Sequence, residues 1–268
     1  MQKPLAGIKV LSFEIQVAGP YCTMLLADQG AGVIKVEQPG SGDTARGGAP
    51  LVANERGEQQ SGYFLRFNRN KRSLTLNLKA EAGRKIFRDL ARQSDVLIEN
   101  FRPGLLNELG LGYGDLSQDN PGLVYASITG FGSMEGYLGP FSQRPAYDIV
   151  AQAMGGLMAT CGQAGGPPTW LGLALGDIAS GMNAAYAITL ALLQRGQTGE
   201  GQYIDVSMLE ALGCADEYNT TMYAYLGAIR KRFYSRHSIP TYPSEIFPCR
   251  DGSIVVIGGA TEIGRAHV

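Results

Sequence analysis

One carboxylate, Asp177, stands alone in WLGLALGDIASGMNAAYAITLALL, residues 170–193. Gly176 precedes it and Gly181 follows four residues later. Two chemistries suit an acid in such surroundings. As a helix cap it accepts hydrogen bonds from the first backbone N–H groups. As a nucleophile it attacks an activated acyl carbon, and the small flanking residues admit a ligand or a second backbone at close range. Asp148, in RPAYDIVAQAMGGLM, poses the same choice at the start of another apolar stretch.

The basic residues form a second group. NRNKRS, residues 68–73, carries Arg69, Lys71 and Arg72 within four positions. By itself it reads either as a solvated loop or as a phosphate site. ENFRPG, residues 99–104, places Asn100, Phe101 and Arg102 directly after an expected strand. In open α/β sheets the carboxyl ends of strands are where ligands bind. Arg46, in SGDTARGG, lies on another loop of that kind. The recurrence points to a phosphorylated ligand without naming it.

Composition narrows the function classes. The chain has 268 residues, 23 Lys plus Arg against 24 Asp plus Glu, and a net charge of −1. That balance argues against a nucleic-acid binder and against a polybasic membrane surface. Cys22, Cys161, Cys214 and Cys249 are far apart, with no CxxC pair and no histidine at ligand spacing. No metal site is expected, and the thiols read as reduced, in a cytoplasmic protein. The opening MQKPLAGIKVLSF lacks a signal-peptide pattern. The apolar stretch around 170–193, broken by Gly, Asp and Asn, reads as a buried helix and not a membrane span.

The elements that must hold these residues alternate. Strands are expected near 7–13, 32–37, 73–78, 95–99 and 122–128. Helices are expected over 18–31, from about Pro20, over 79–93, with Ile86 and Leu90 on its apolar face, and over 148–160. Residues 133–147 read as loop. A strand and helix start follow within 198–212, and a further helical stretch runs to about Leu226. Residues 244–260 read as a hairpin turned at Asp251-Gly252. The alternation predicts an α/β fold, a Rossmann-like parallel sheet with helices on both faces. No GxGxxG opens the first helix. The expected division is a large domain over 1–228 and the beginning of a smaller second domain over 229–268, in the N-terminal part of a longer chain.

The ordered motifs AGPYCTMLLADQGAGVIKVEQPGSGD, NRNKRSLTLNLK, DVLIENFRPG, GYGDL, SITGFG, RPAYDIVAQAMGGLM, LGDIASGMNAA and QTGEGQYIDVSMLEA resemble the family III CoA-transferases. The resemblance implies that Asp177 is the catalytic aspartate, carrying CoA as an aspartyl thioester, with Tyr147 and Asp148 near the thioester. It implies CoA contacts at Val17, Ala18, Gln38, Leu76 to Lys79, Asn100, Phe101 and Arg102, with Arg46, Lys71 and Arg72 close to the phosphates. Gln38 and Glu108 stand where relatives often carry arginine. Gln16-Val17 reverses the Val-Gln order of the formyl-CoA enzyme, which speaks against formyl or oxalate specificity. The implied partners are an acyl-CoA, a carboxylic acid and a second subunit in an interlocked homodimer, with no cofactor beyond CoA itself. Two other readings are an α-methylacyl-CoA racemase and a non-enzymatic CoA-binding module. The racemase needs the histidine of a GHD motif; here AYD places Tyr147 there, and the two histidines are His237 and His267. In the binding module Asp177 would be a cap only.

Overall fold

The computed structural model describes residues 2–163, 165–216, 218–230, 232 and 244–257. In chain order its strands are β1 (Lys9–Phe13), β2 (Gly32–Glu37), β3 (Leu51–Ala53), β4 (Gln59–Ser61), β5 (Lys71–Thr75), β6 (Val96–Glu99), β7 (Val124–Thr129), β8 (Tyr203–Ser207), β9 (Ser244–Cys249) and β10 (Gly252–Ile257). Its α-helices are α1 (Ala18–Asp28), α2 (Gly62–Asn68), α3 (Glu81–Ala91), α4 (Leu105–Glu108), α5 (Tyr113–Asp119), α6 (Asp148–Met154), α7 (Leu157–Thr160), α8 (Leu175–Thr198), α9 (Met208–Ala215) and α10 (Asn219–Leu226).

Six strands form one sheet in the order β5-β2-β1-β6-β7-β8, with every pairing parallel. Counted along the chain, that is the doubly wound order 3-2-1-4-5-6. The order reverses between β1 and β6, which opens a crevice at their carboxyl ends. Successive side chains on a strand face opposite ways, so the inner strands supply two cores. Val10, Val96, Ile98, Val124, Ala126 and Ile128 pack with Cys22 and Leu26 of α1 and with Ala184 and Ile188 of α8. Leu11, Leu97 and Tyr125 pack with Phe87 of α3, Leu106 of α4 and Leu116 of α5. Helices therefore cover both faces, as expected of buried parallel strands.

Several boundaries differ from the sequence reading. The third sheet strand begins at Lys71, two residues before the expected Ser73. The helix expected over 148–160 breaks after Met154, and Gly156, at φ +80, starts the short α7. On α3 the fully buried side chain is Phe87, whereas Ile86 is 46 % exposed. Gly83, Phe87 and Ala91, spaced by four, are that helix's buried residues. The β3–β4 hairpin and α2 were not anticipated.

The chain divides into two compact units, one of residues 1–155 and 172–217, the other of 156–171 and 218–268. The first holds the six-stranded sheet. In the second, β9 and β10 pair antiparallel across a turn at Arg250–Asp251. There the Arg232 guanidinium donates to the carbonyls of Ala159, Gly166 and Pro167 at 2.5–2.7 Å. Residues 258–260 of the expected hairpin, and both histidines, lie outside the described residues. Among the described residues no helix is long and apolar enough to cross a membrane, and no group of three or more His, Cys, Asp or Glu could hold a metal.

Candidate active site at the start of α8

α8 begins at Leu175, which makes Asp177 its third residue. The residue before it, Ala174, supplies no side-chain cap. The cap comes from another helix. Asp148, first residue of α6, accepts the Gly176 N–H on Oδ1 at 2.7 Å, and its Oδ2 accepts from Gln152 Nε2 at 2.7 Å. Gln152 Nε2 also donates to the Leu173 carbonyl at 2.9 Å. A Cβ on Gly176 would lie 3.1 Å from Asp148 Oδ1, so glycine there admits the carboxylate.

Asp177 is thereby released from capping. Among the described residues its side chain takes no hydrogen bond and no ion pair. Burial, and then the negative charge of Asp148, raise its pKa from the ordinary 3.8 to about 7. Near neutral pH it titrates, and a carboxyl so perturbed marks a candidate functional site. Tyr147, the residue before α6, is 73 % exposed beside this pair.

α1 approaches the same place. A Cβ on Gly181 would lie 2.7 Å from the Ala18 carbonyl oxygen and 3.1 Å from the Tyr21 ring. Gly181 is one turn beyond Asp177, so the first turn of α1 lies along the first turns of α8. Val17 and Ala18 are both 2 % exposed there. Sequence reasoning missed Tyr63, on the unforeseen α2. Burial and then the charges of Asp177, Asp43 and Asp148 raise its phenol pKa, which places it in the field of both acids.

The four basic positions expected together are not together. Arg46 and Arg102 lie after β2 and β6, at the carboxyl edge. Lys71 and Arg72 are the first two residues of β5, at its amino end. Neighbours on a strand face opposite sides of the sheet, so these two cannot grip one phosphate. The Lys71 side chain is 2 % exposed and its ammonium donates to Glu14 at 3.0 Å, the Pro20 carbonyl at 2.9 Å and Asn68 Oδ1 at 3.1 Å. It is an internal cation, whereas Arg72 is exposed.

Arg46 makes two 2.7 Å bonds to Glu37 and lies 3.9 Å over the Phe64 ring. Burial alone would raise the Glu37 carboxyl, but donors from Arg46, Ser73 and the Asp43 N–H outweigh it and hold it at about 2. Arg102 pairs with Glu108 in full solvent, an arrangement worth little and easily exchanged. Asn100 spends its amide on Ile15, accepting from its N–H at 2.8 Å and donating to its carbonyl at 2.9 Å. The Phe101 ring stacks on Phe13 at 4.2 Å. Gln38 and Lys79 are exposed and Leu76 is half-buried, on the loops following β2 and β5.

A cavity of about 410 Å³ lies on the other face of the sheet, with Glu99, Tyr113, Tyr125, Ser127 and Tyr203 in its lining. Burial raises the Glu99 carboxyl to about 7, partly offset by hydrogen bonds from Ser127 and the Phe101 N–H. Among the described residues no lysine or arginine lines this cavity.

The profile described as CoA-transferase family III matches residues 5–266. The chain belongs to that family. Succinyl-CoA:glutarate CoA-transferase of Homo sapiens is 42% identical over 258 residues, covering 96% of this chain and 57% of that protein. Succinyl-CoA:mesaconate CoA-transferase of Haloarcula marismortui is 40% identical over 253 residues, covering 94% and 63%. A CAIB/BAIF family protein from Brucella suis superposes with a TM-score of 0.86 at 37% identity, covering 96% of this chain and 66% of that one. The chain thus spans about three-fifths of the length of these curated relatives.

Proposed function

We propose that the full-length protein moves coenzyme A from an acyl-CoA to a carboxylic acid through a thioester on Asp177. The observation that carries this is the free, part-buried Asp177 carboxylate, whose capping duty Asp148 performs. The ionised carboxylate attacks the thioester carbonyl and expels CoA thiolate, leaving a mixed anhydride. The thiolate attacks the aspartyl carbonyl, releasing the donor acid and forming aspartyl-CoA. The acceptor carboxylate attacks that thioester and frees the thiolate again. The thiolate then attacks the acceptor's acyl carbon and regenerates Asp177. One thioester replaces another, so the exchange is near isoenergetic and needs no external energy source. N–H groups in the first turn of α1, at its positive dipole end, are suited to hold the developing oxyanions.

CoA would lie along the carboxyl edge of β5, β2, β1 and β6. There it would meet Leu76, Lys79, Gln38, Arg46, Val17, Ala18, Phe101 and Arg102. Arg102 is the readiest phosphate ligand, because its exposed pair with Glu108 exchanges freely. The names of the relatives favour dicarboxylic acids as donor and acceptor. Homodimerisation belongs to the same reading. An exposed apolar stripe on α8 supports it, formed by Met182, Tyr186, Leu190 and Leu193.

The test uses the full-length protein. Incubated with succinyl-CoA and then hydroxylamine, it should form a hydroxamate on the peptide containing Asp177, read by mass. Trapping on a different carboxylate would remove Asp177 from the mechanism.

A further inference from the structure

The loop from Glu14 to Val17 crosses the point where the strand order reverses, and three successive residues of it are pinned. The Glu14 carboxylate, 1 % exposed, accepts from Thr23 Oγ1 at 2.7 Å and from the Lys71 ammonium at 3.0 Å. Ile15 is held by both ends of the Asn100 amide, reaching across from β6. Gln16 is held from the other side, by the loop after β2. Its N–H donates to Asp43 Oδ1 at 3.1 Å, and its side-chain amide donates to Thr44 Oγ1 at 2.6 Å.

Gln16 needs that hold. Its φ is +62, a left-handed conformation that a non-glycine residue adopts only under constraint. Val17 follows as the residue before α1, and Ala18 opens the turn that lies against Gly181, one turn beyond Asp177. Asp43 is built to supply the constraint. It is 1 % exposed, its Oδ2 meets the Lys35 ammonium at 2.6 Å, and its Oδ1 also accepts the Ala45 N–H at 2.9 Å. Its own N–H donates to Glu37 at 2.9 Å, and Glu37 holds Arg46. Lys35, likewise 1 % exposed, is steadied by Asn68 at 2.9 Å.

We propose that Asp43 is a positioning residue for the acyl-transfer site: by clamping Gln16 in the left-handed conformation it sets the first turn of α1 against Asp177. It touches neither substrate nor reacting atoms. The proposal rests on the reading of Asp177 as the nucleophile. The tie from this loop to Arg46 runs through the Asp43 backbone N–H and Glu37, so it survives replacement of the Asp43 side chain.

The test compares three variants of the full-length protein, with rates taken per folded molecule from thermal unfolding. Asp43→Ala removes every acceptor and should lower kcat by about tenfold or more, with KM for acyl-CoA within about threefold. Asp43→Asn keeps an oxygen facing Gln16 and Ala45 but loses the Lys35 ion pair. It should recover most of the rate while remaining less stable than wild type. Gln16→Val changes a half-exposed residue, so folding is spared. A β-branched side chain resists positive φ, and the variant should lose kcat like Asp43→Ala with little change in melting midpoint. Equal rates for Asp43→Ala and Asp43→Asn would overturn the proposal, as would an unchanged kcat in Gln16→Val. Failure of the nucleophile reading shows separately, as full activity in Asp177→Asn.

Discussion

At the scale of single residues, Asp177 and Asp148 divide two tasks that the sequence left joined. Asp177→Asn keeps size and polarity but is a poor nucleophile, and Asp177→Ala keeps neither. Both should abolish transfer by the full-length protein and leave CoA binding within about twofold, because the proposed adenine and phosphate contacts are on other loops. Full activity of the asparagine variant would return Asp177 to a structural role. The pH profile carries a second test. With the carboxyl titrating near 7, kcat/KM should rise with pH to about that value. Asp148→Asn removes the neighbouring negative charge, so the rising limb should move to lower pH. An unmoved limb would show that Asp148 does not set the charge of Asp177. Stability has its own sign. The folded pKa of Asp177 lies above the ordinary 3.8, so its unfavourable contribution is absent below about pH 4 and complete above about pH 7. Asp177→Asn should therefore stabilise the fold at pH 8 by on the order of 2 kcal/mol, discounted for its partial exposure, and hardly at all at pH 4. Denaturant titrations at the two pH values check this.

At the scale of elements, the site is a meeting of helix starts. α8 is capped from α6, and α1 lies against it through Gly181. Asp148→Ala should cost about 2 kcal/mol, combining a lost cap with a buried Gln152 left short of a partner. Gly181→Ala would press a methyl into the Ala18 carbonyl and should cost about 1–3 kcal/mol. It should also cut transfer sharply while leaving the hairpin β3–β4 unaffected, which hydrogen exchange would read. These contacts explain what the sequence could and could not disclose. That Asp177 is unusual was legible, because a lone acid in an apolar helix is anomalous wherever it folds; the residues alone left cap and nucleophile open. Which acid caps which helix was not, since Asp148 and Gly176 are 28 residues apart and only packing joins them. Lys71 illustrates the same limit. A basic cluster predicts charge, but strand alternation and the depth of Glu14 decide that its ammonium turns inward.

At the scale of the whole molecule, the sheet was the most legible part. Five apolar runs alternating with helical periodicity leave few arrangements, and parallel order follows from the connections. The β3–β4 hairpin and α2 escaped because strands of three residues and a helix of seven are too short to show a period, and with them went Tyr63. Acid sensitivity also belongs to this scale. The Glu37 carboxyl titrates near 2, below its ordinary 4.5, so its contribution is complete above about pH 5 and is lost as pH falls toward 2. Glu37→Gln should lower the melting temperature at pH 7 by several degrees and should not do so at pH 2, as calorimetry would show. The strand order has one more consequence, in time. β1 pairs with β2 on one side, but its other neighbour, β6, lies roughly 80 residues further along the chain. At a synthesis rate of about 5–20 residues per second, β1 waits on the order of 4–16 seconds on the ribosome with one edge bare. Val10 and Leu11 are exposed to the wrong partners throughout that interval. The crevice between β1 and β6 does not exist until it ends.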